Sequence, residues 1–121
     1  MNWYKIAQSV MVWLDDERPM PSPFNFYAKT ATQAIQALQQ GNVTAISLDH
    51  DLGDPSNGTG YDVAKWIEQN AFNGTLKRIA VTIHSQNPVG RQRMMAAIQN
   101  ANRFWDEQEN STPESNQVAP S

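Results

Sequence analysis

Three short apolar segments, each ended abruptly by polar residues, are the clearest pattern along the chain. They are SVMVWL (9–14), VTAISL (43–48) and IAVTI (79–83). Short runs rich in β-branched residues that stop at charged or polar side chains are typical of buried strands. The segments NFYAK (25–29) and RFWD (103–106) predict two more. The sequence therefore predicts five strands.

Between these strands, apolar residues recur at helical spacing. One helix is predicted within residues 30–41 and a second from about 61 to 71. A third begins with Asn87 as its N-cap and Pro88 in its first turn. Residues 17–24 (ERPMPSPF) contain three prolines and cannot form an ordinary helix, so the first crossover helix is predicted to be short or missing.

Alternating strands and helices predict a single α/β domain of the receiver or flavodoxin-like type. We expect a parallel sheet with strand order 2-1-3-4-5 and helices on both faces, giving three layers. The length of 121 residues agrees with one domain. From Glu107 onward the chain is rich in Glu, Asn, Ser, Pro and Gln and has no periodicity. The domain is therefore predicted over residues 1–106, with a disordered tail over residues 107–121.

Composition narrows the class of protein. The chain has no cysteine, which excludes a disulfide framework, a thiolate zinc site and a cysteine nucleophile. Its longest apolar run, residues 10–14, is too short to cross a bilayer, and its N-terminus lacks the pattern of a secretory signal. We therefore expect a cytoplasmic protein without a membrane segment, and a homo-oligomer is compatible with the sequence. The net charge of −3 argues against an extended nucleic-acid surface, but it is compatible with a phosphorylated small molecule or an RNA end.

Half of the twelve acidic residues lie in two short segments that follow predicted strands. The ligand of an open α/β sheet binds beyond the carboxyl ends of its strands, so Asp15, Asp16 and Asp49 are expected to converge. Carboxylates at adjacent strand ends suit Mg²⁺ or another divalent cation, which leaves coordination positions for phosphate and water. The alternative is that each acid caps a loop or a helix start.

His50 and His84 are the only histidines, and each follows a predicted strand. They are candidates for proton transfer, with Asp49 as a third catalytic candidate, because histidine exchanges protons near neutral pH. The alternative is a structural role for each ring. A cation in the first turn of a helix opposes the helix dipole, so Arg91 is explained if it contacts a phosphate, or it is a solvated surface residue. The residues predicted to bind the substrate are Ser85, Asn87, Arg91, Arg18 and Asp51.

Four motifs carry a resemblance to a known family. They are LDDERPMP (14–21), SLDHDLG (47–53), TGYDVAKWI (59–67) and HSQNPVGRQRMM (84–95). Over roughly residues 10–100 the chain resembles the cyclic-phosphate processing receiver domain family, a compact offshoot of the response-regulator receiver fold. The resemblance implies a receiver-like sheet and the processing of cyclic phosphates, such as RNA 2′,3′-cyclic phosphate ends or cyclic nucleotides.

The sequence also differs from ordinary receivers at one residue of their functional site. Asp15 and Asp16 match the metal-binding acidic pair and Asp49 matches the phospho-acceptor, but ordinary receivers also use a lysine at the end of the fifth strand. No lysine follows Lys77. We therefore expect a phosphoesterase that opens a cyclic phosphate by acid–base chemistry, with or without a metal. The alternatives are a signalling receiver phosphorylated on Asp49 and a module that binds a cyclic nucleotide without cleaving it.

Overall fold

The computed structural model describes residues 9–111, which form four strands and three α-helices. In chain order these are β1 (Val10–Leu14), β2 (Phe26–Ala28), α1 (Ala31–Gln39), β3 (Val43–Leu48), a 3₁₀ turn (Pro55–Asn57), α2 (Gly60–Asn73), β4 (Ala80–Ile83) and α3 (Pro88–Asn110). The strands pair in parallel in the order β2-β1-β3-β4. The predicted parallel α/β sheet is confirmed, with the predicted order for its first four strands.

Each helix begins at a side chain that caps it. Thr30 precedes α1 and Asn87 precedes α3, and in both cases the side-chain oxygen accepts a backbone N–H of the first turn. Thr59 and Asp62 form a reciprocal capping box at the start of α2. Gly74 ends α2 in the left-handed region, with a φ of 75°. The local sequence therefore sets where the helices start and stop.

The helices lie on one face of the sheet. No helix joins β1 to β2, as the prolines predict. The connections β2–α1–β3 and β3–α2–β4 advance in the same direction, so right-handed crossovers place α1 and α2 on the same face, and α3 packs against α2. The core on this face contains Val12, Leu14, Ile46 and Leu48.

The opposite face of the sheet carries Trp13, which packs against Phe24 from the β1–β2 connection. A second helical layer, which the expected three layers require, is not formed by the described residues. The physical reason is the missing crossover helix, because that helix would have covered this face.

The prediction of a final strand over residues 103–106 is wrong, since these residues lie inside α3. Trp105 continues the buried stripe of α3, and its indole N–H donates to the carbonyl of Leu76 at 2.7 Å. The other buried residues of that stripe are Gly90, Met94, Ala97, Ile98 and Ala101. Burial of Trp105 at helical spacing therefore outweighs the β-propensity of the short aromatic segment.

The last helix also extends past the predicted domain boundary. It continues to Asn110, so residues 107–110 are helical, and the remainder of the predicted tail lies outside the described residues. Arg78 fixes this end of α3, because its guanidinium donates to Glu109 at 3.0 Å and also to Asp106. None of the helices within the described range has the length and apolar character needed to cross a membrane.

Candidate functional site

The carboxyl ends of β1, β3 and β4 are level with one another. The final residue of β1 pairs with that of β3, which pairs with that of β4. The pairing continues one residue further, because the N–H of Asp49 donates to the carbonyl of Leu14 and the N–H of His84 to that of Leu48, both at 3.0 Å. Asp15 and Asp49, two of the three acids expected to converge, therefore lie side by side with His84.

Asp15 is the most constrained of the three. It is 1% exposed, and its Oδ1 accepts the backbone N–H groups of Glu17 at 2.8 Å and Arg18 at 2.9 Å. Its Oδ2 lies 2.9 Å from Nε2 of His84. Burial alone would raise the pKa of Asp15, but these hydrogen bonds outweigh burial and hold the pKa below its usual value. Asp15 is therefore a fixed, ionised carboxylate.

His84 uses both of its ring nitrogens. Nε2 faces Asp15, and Nδ1 lies 2.8 Å from Oγ of Ser47. The ring also stacks on Trp13, with centroids 3.8 Å apart and planes at 5°. Burial lowers the pKa of His84, and the neighbouring Asp15 opposes this only in part. A neutral ring protonated on Nε2 satisfies both contacts, by donating to Asp15 and accepting from the Ser47 hydroxyl.

Asp49 differs from Asp15 in its environment. Its Oδ1 accepts the N–H of the next residue, His50, at 2.9 Å. Burial raises the pKa of Asp49, and the negative charge of Asp15 raises it further. Ligand atoms of Asp15, Asp49 and His84 all lie within 4.8 Å of one another. Two carboxylates and one imidazole this close can hold a divalent cation, which would relieve the repulsion between the two acids.

An open cleft of about 540 Å³ lies above these strand ends. Its lining residues are Asp15, Asp16, Glu17, Arg18, Asp49, Asp51, Gly53, Gln86 and Asn87. Five of them are acidic and one is a cation, so the field in the cleft favours a bound cation over a bare anion. That cation, Arg18, reaches across the cleft and donates to the carbonyl of His84 at 3.0 Å. Asp16 lines the cleft but does not belong to the close group of three.

A second cavity of about 500 Å³ lies near the opposite ends of the strands. Apolar residues such as Leu38 and Trp66 line much of its wall, and it contains no carboxylate. Its lining offers neither a cluster of metal ligands nor a histidine. The acidic cleft is therefore the candidate site.

His50 lies at the edge of the cleft, between Asp49 and Asp51, which line it. Its Nδ1 is 2.9 Å from the Asp51 carboxylate and 3.5 Å from Nδ2 of Asn87. The hydrogen bond from His50 lowers the pKa of Asp51. The ring packs on Gly90, where an added Cβ would lie 2.3 Å from a ring carbon. Within residues 9–111, no group hydrogen-bonds Nε2 of His50, and its side chain is 18% exposed.

The turn before α3 supports one wall of the cleft. Oδ1 of Asn87 accepts the N–H of Gly90 at 3.0 Å, and its Nδ2 faces the Asp51 carboxylate at 3.3 Å. Ser85 is buried, and its hydroxyl accepts the N–H of Asn87 at 3.1 Å. Asn87 and Asp51 can therefore reach a ligand, whereas Ser85 holds the turn in place.

Arg91 is not brought to the cleft. It lines a separate groove between β4 and α3, together with Val81 and Met95, and donates to the carbonyl of Ser85 at 3.4 Å. The core fixes the rotation of α3 by burying Gly90 and Met94. Successive helical residues are about 100° apart around the axis, so Arg91 is turned toward the edge of the sheet.

Sequence reasoning missed Trp13 and Ser47, the two residues that hold the ring of His84. The available signal was the strand period of two. Trp13 lies two residues before Asp15, and Ser47 lies two before Asp49. Each therefore shares a face with the acidic residue that follows its strand.

A family model described as "Cyclic-phosphate processing Receiver domain" matches residues 10–100. The matched region contains all four strands and every residue of the acidic cleft. No curated protein and no solved structure matches the chain significantly.

Proposed function

The chain belongs to the cyclic-phosphate processing receiver domain family, and from this premise we propose that it is a metal-assisted phosphoesterase that opens a cyclic phosphate ester. The observation that carries the proposal is the level arrangement of Asp15, Asp49 and His84. Their ligand atoms lie within 4.8 Å of one another at the floor of an acidic cleft. The cleft presents too much negative charge to bind a phosphate diester unless a cation is also present.

Asp15 and Asp49 would hold the divalent cation, with Asp16 adding negative charge from the cleft wall. Two carboxylates suit a divalent cation such as Mg²⁺ or Mn²⁺. When bound, such a cation neutralises phosphate charge and lowers the pKa of a bound water. His84 orients Asp15 through the bond to Nε2, and Ser47 fixes the other side of the ring.

His50 is the proton carrier in this proposal. Asp51 binds Nδ1 and so orients the ring, as an aspartate orients the catalytic histidine of many hydrolases, and no group within residues 9–111 hydrogen-bonds Nε2. Water attacks phosphorus, and Nε2 takes the proton of that water. The bond from phosphorus to one ester oxygen breaks, and Nε2 returns the proton to that oxygen. One water is consumed, and the cyclic diester becomes a monoester.

Arg18 and Asn87 bind the phosphate in this proposal. Arg18 is the cation of the cleft, and its guanidinium has donors beyond the one used on His84. Nδ2 of Asn87 points at the cleft wall formed by Asp51. Donors placed in this way stabilise the charge that builds on the phosphoryl oxygens as water attacks.

The experiment is turnover of cyclic phosphates by the full chain with Mg²⁺ or Mn²⁺, followed by phosphorus NMR. The panel contains 2′,3′-cyclic and 3′,5′-cyclic mononucleotides, cyclic dinucleotides and a short RNA ending in a 2′,3′-cyclic phosphate. We expect at least one cyclic ester to become a monoester. His50→Gln should lower kcat by about 10²–10⁴, the usual contribution of a positioned acid or base.

The control is Lys77→Ala, an exposed residue that lines the cavity near the opposite strand ends. It should turn over at the wild-type rate. Binding of a cyclic nucleotide with no product formed would overturn the enzymatic proposal in favour of a sequestering module. Full activity in His50→Gln would overturn the assignment of the proton carrier.

A further inference from the structure

One aromatic ring and two cations form a cluster beside His50, on the outer side of α2 and α3. Nζ of Lys65 lies 4.8 Å from the centre of the Tyr61 ring, and Cζ of Arg93 lies 5.9 Å from it. We call these three residues the Tyr61 cluster. Val89 lies one helical turn before Arg93 and is 62% exposed, so it shares the same side of α3.

The Tyr61 cluster adjoins the cleft because both helices begin against His50. The N–H of Gly60, the residue before Tyr61, donates to the His50 carbonyl at 3.0 Å. Gly90 packs on the His50 ring, and Arg93 follows it by three residues, about 4.5 Å along the helix axis. His50 therefore separates the acidic cleft on one side from the Tyr61 cluster on the other.

The charge of the cluster is opposite to that of the cleft. Lys65 is paired loosely with Asp62, at 3.8 Å, and both side chains are about half exposed. Arg93 forms no ion pair with any of the described residues, and the Tyr61 ring holds its guanidinium by a cation–aromatic contact. Two held cations next to an exposed apolar side chain suit a phosphate and its nucleoside.

We propose that the Tyr61 cluster binds the nucleotide adjoining the cyclic phosphate, so that the preferred substrate is an oligonucleotide with a cyclic phosphate end and not a mononucleotide. This inference rests on the proposed function. Arg93 and Lys65 bind the neighbouring phosphate, Tyr61 positions the two cations, and Val89 contacts the base. The contact covers one or two nucleotides, which agrees with the net charge of −3 of the chain.

The test compares kcat/KM for a trinucleotide ending in a 2′,3′-cyclic phosphate with that for the 2′,3′-cyclic mononucleotide. The wild type should prefer the trinucleotide. The double variant Lys65→Ala/Arg93→Ala should lose about three- to tenfold on the trinucleotide, as expected for partly exposed ion pairs, and nothing on the mononucleotide. The dependence of log kcat/KM on log salt should become shallower by about 0.7, the value for one phosphate of a single strand.

Two further variants test the arrangement itself. Tyr61→Leu keeps the packing but removes the aromatic face, and should reproduce part of the loss on the trinucleotide, with the melting temperature as a check on folding. Lys29→Ala is the matched control, because Lys29 lies 5.5 Å from the Tyr27 ring across the cleft. It should leave the preference for the trinucleotide intact.

The outcomes separate this inference from the proposed function. If no cyclic ester of the panel is hydrolysed, the proposed function fails. If only a 3′,5′-cyclic mononucleotide or a cyclic dinucleotide is hydrolysed, the inference is overturned while the phosphoesterase proposal stands. If both are hydrolysed with equal kcat/KM, or if the double variant lowers both equally, the inference is overturned while the phosphoesterase proposal stands. If Lys29→Ala removes the preference and the double variant does not, the oligonucleotide leaves the cleft by the other side and the inference is also overturned.

Discussion

Asp15 and Asp49 follow neighbouring strands at the same level, yet their pKa values shift in opposite directions. Asp15 accepts two backbone N–H groups and contacts His84, and these bonds favour its charged form more than burial disfavours it. Asp49 accepts one such bond and is half-buried next to the charge of Asp15, so burial and repulsion raise its pKa. The first carboxylate therefore stabilises the fold through its charge, whereas the charge of the second opposes folding.

This difference predicts opposite effects of two isosteric substitutions on stability without metal. Because the native pKa of Asp49 is raised, the folded protein loses stability as the pH rises through that pKa. Asp49→Asn, which has no charge at this position, should therefore melt higher than the wild type at pH 7. A lowered native pKa means that Asp15 stabilises the fold above its unfolded pKa, so Asp15→Asn should melt lower at pH 7. The difference for Asp49→Asn should shrink as the pH falls from the raised native pKa to the ordinary pKa of 3.8. The difference for Asp15→Asn should shrink only below 3.8, as the pH falls through the lowered native pKa. Thermal melts in a chelator, as a function of pH, measure this.

Thermal melts with added metal are the control for these two substitutions. A cation that binds only the folded state stabilises it by about 2.7 kcal/mol at one hundred times its Kd. The wild type should gain this stability with Mg²⁺ or Mn²⁺, and Asp49→Asn should not. A lower melting temperature for Asp49→Asn in chelator would contradict the metal-ligand role and make Asp49 a structural residue.

At the scale of elements, the sequence predicted the starts of the helices and the ends of the strands better than it predicted side-chain directions. The segment 43–48 forms β3 as predicted, and Asn87 caps α3, because both depend on local chemistry. The direction of Arg91 depends on which face of α3 the core buries, which local sequence at the helix start does not reveal. The helical state of residues 103–106 was accessible, since Trp105 extends the spacing of the buried stripe.

The contact between α3 and His50 gives a prediction at this scale. Alanine is a better helix former than glycine by about 1 kcal/mol, yet a Cβ at Gly90 would lie 2.3 Å from the His50 ring. Gly90→Ala should therefore cost about 1–3 kcal/mol of stability, the usual range for overpacking. In a His50→Ala background, where the ring is absent, the same substitution should be neutral or stabilising. The free energy of unfolding of the four proteins in this cycle measures the coupling.

The comparison needs a substitution that changes the helix without touching His50. Gln92→Ala provides it, because Gln92 is exposed in the first turns of α3. It should change stability equally in both His50 backgrounds. Equal destabilisation by Gly90→Ala in both backgrounds would show that the His50 ring is not what limits the space.

The arrangement of the whole molecule follows from one missing element. Right-handed crossovers in one direction along the sheet place α1 and α2 on a single face, and α3 packs against α2. The prolines after β1 remove the helix that would cover the other face. The missing helix on that second face was predictable from the sequence. The prolines at residues 19, 21 and 23 prevent a helix after β1, and right-handed crossovers place α1 and α2 on the opposite face. The side chains of Asp15, Asp49 and His84 share the second face with Trp13 and Ser47, so the site is built on the face that the helices of residues 9–111 leave uncovered.

The same architecture bears on whether Asp49 serves as a phosphorylated switch. Ordinary receivers pair their acceptor aspartate with a lysine from the end of a fifth strand. The sheet formed by the described residues ends at β4, and no lysine follows Lys77 in the chain. Arg18, the cation that lines the cleft, is hydrogen-bonded to the carbonyl of His84, and His84 is bonded to Asp15.

We therefore expect no stable phosphoenzyme when the protein is incubated with acetyl phosphate and Mg²⁺. Without a lysine to bind the incoming phosphoryl group, and with Asp15 one strand away repelling it, Asp49 has neither the partner nor the charge balance that holds an acyl phosphate. Intact-mass spectrometry of the wild type and of Asp49→Asn measures this, with hydroxylamine treatment to identify an acyl phosphate. A phosphoryl adduct that forms on the wild type, disappears with hydroxylamine and is absent from Asp49→Asn would restore the signalling receiver as the function of this sheet.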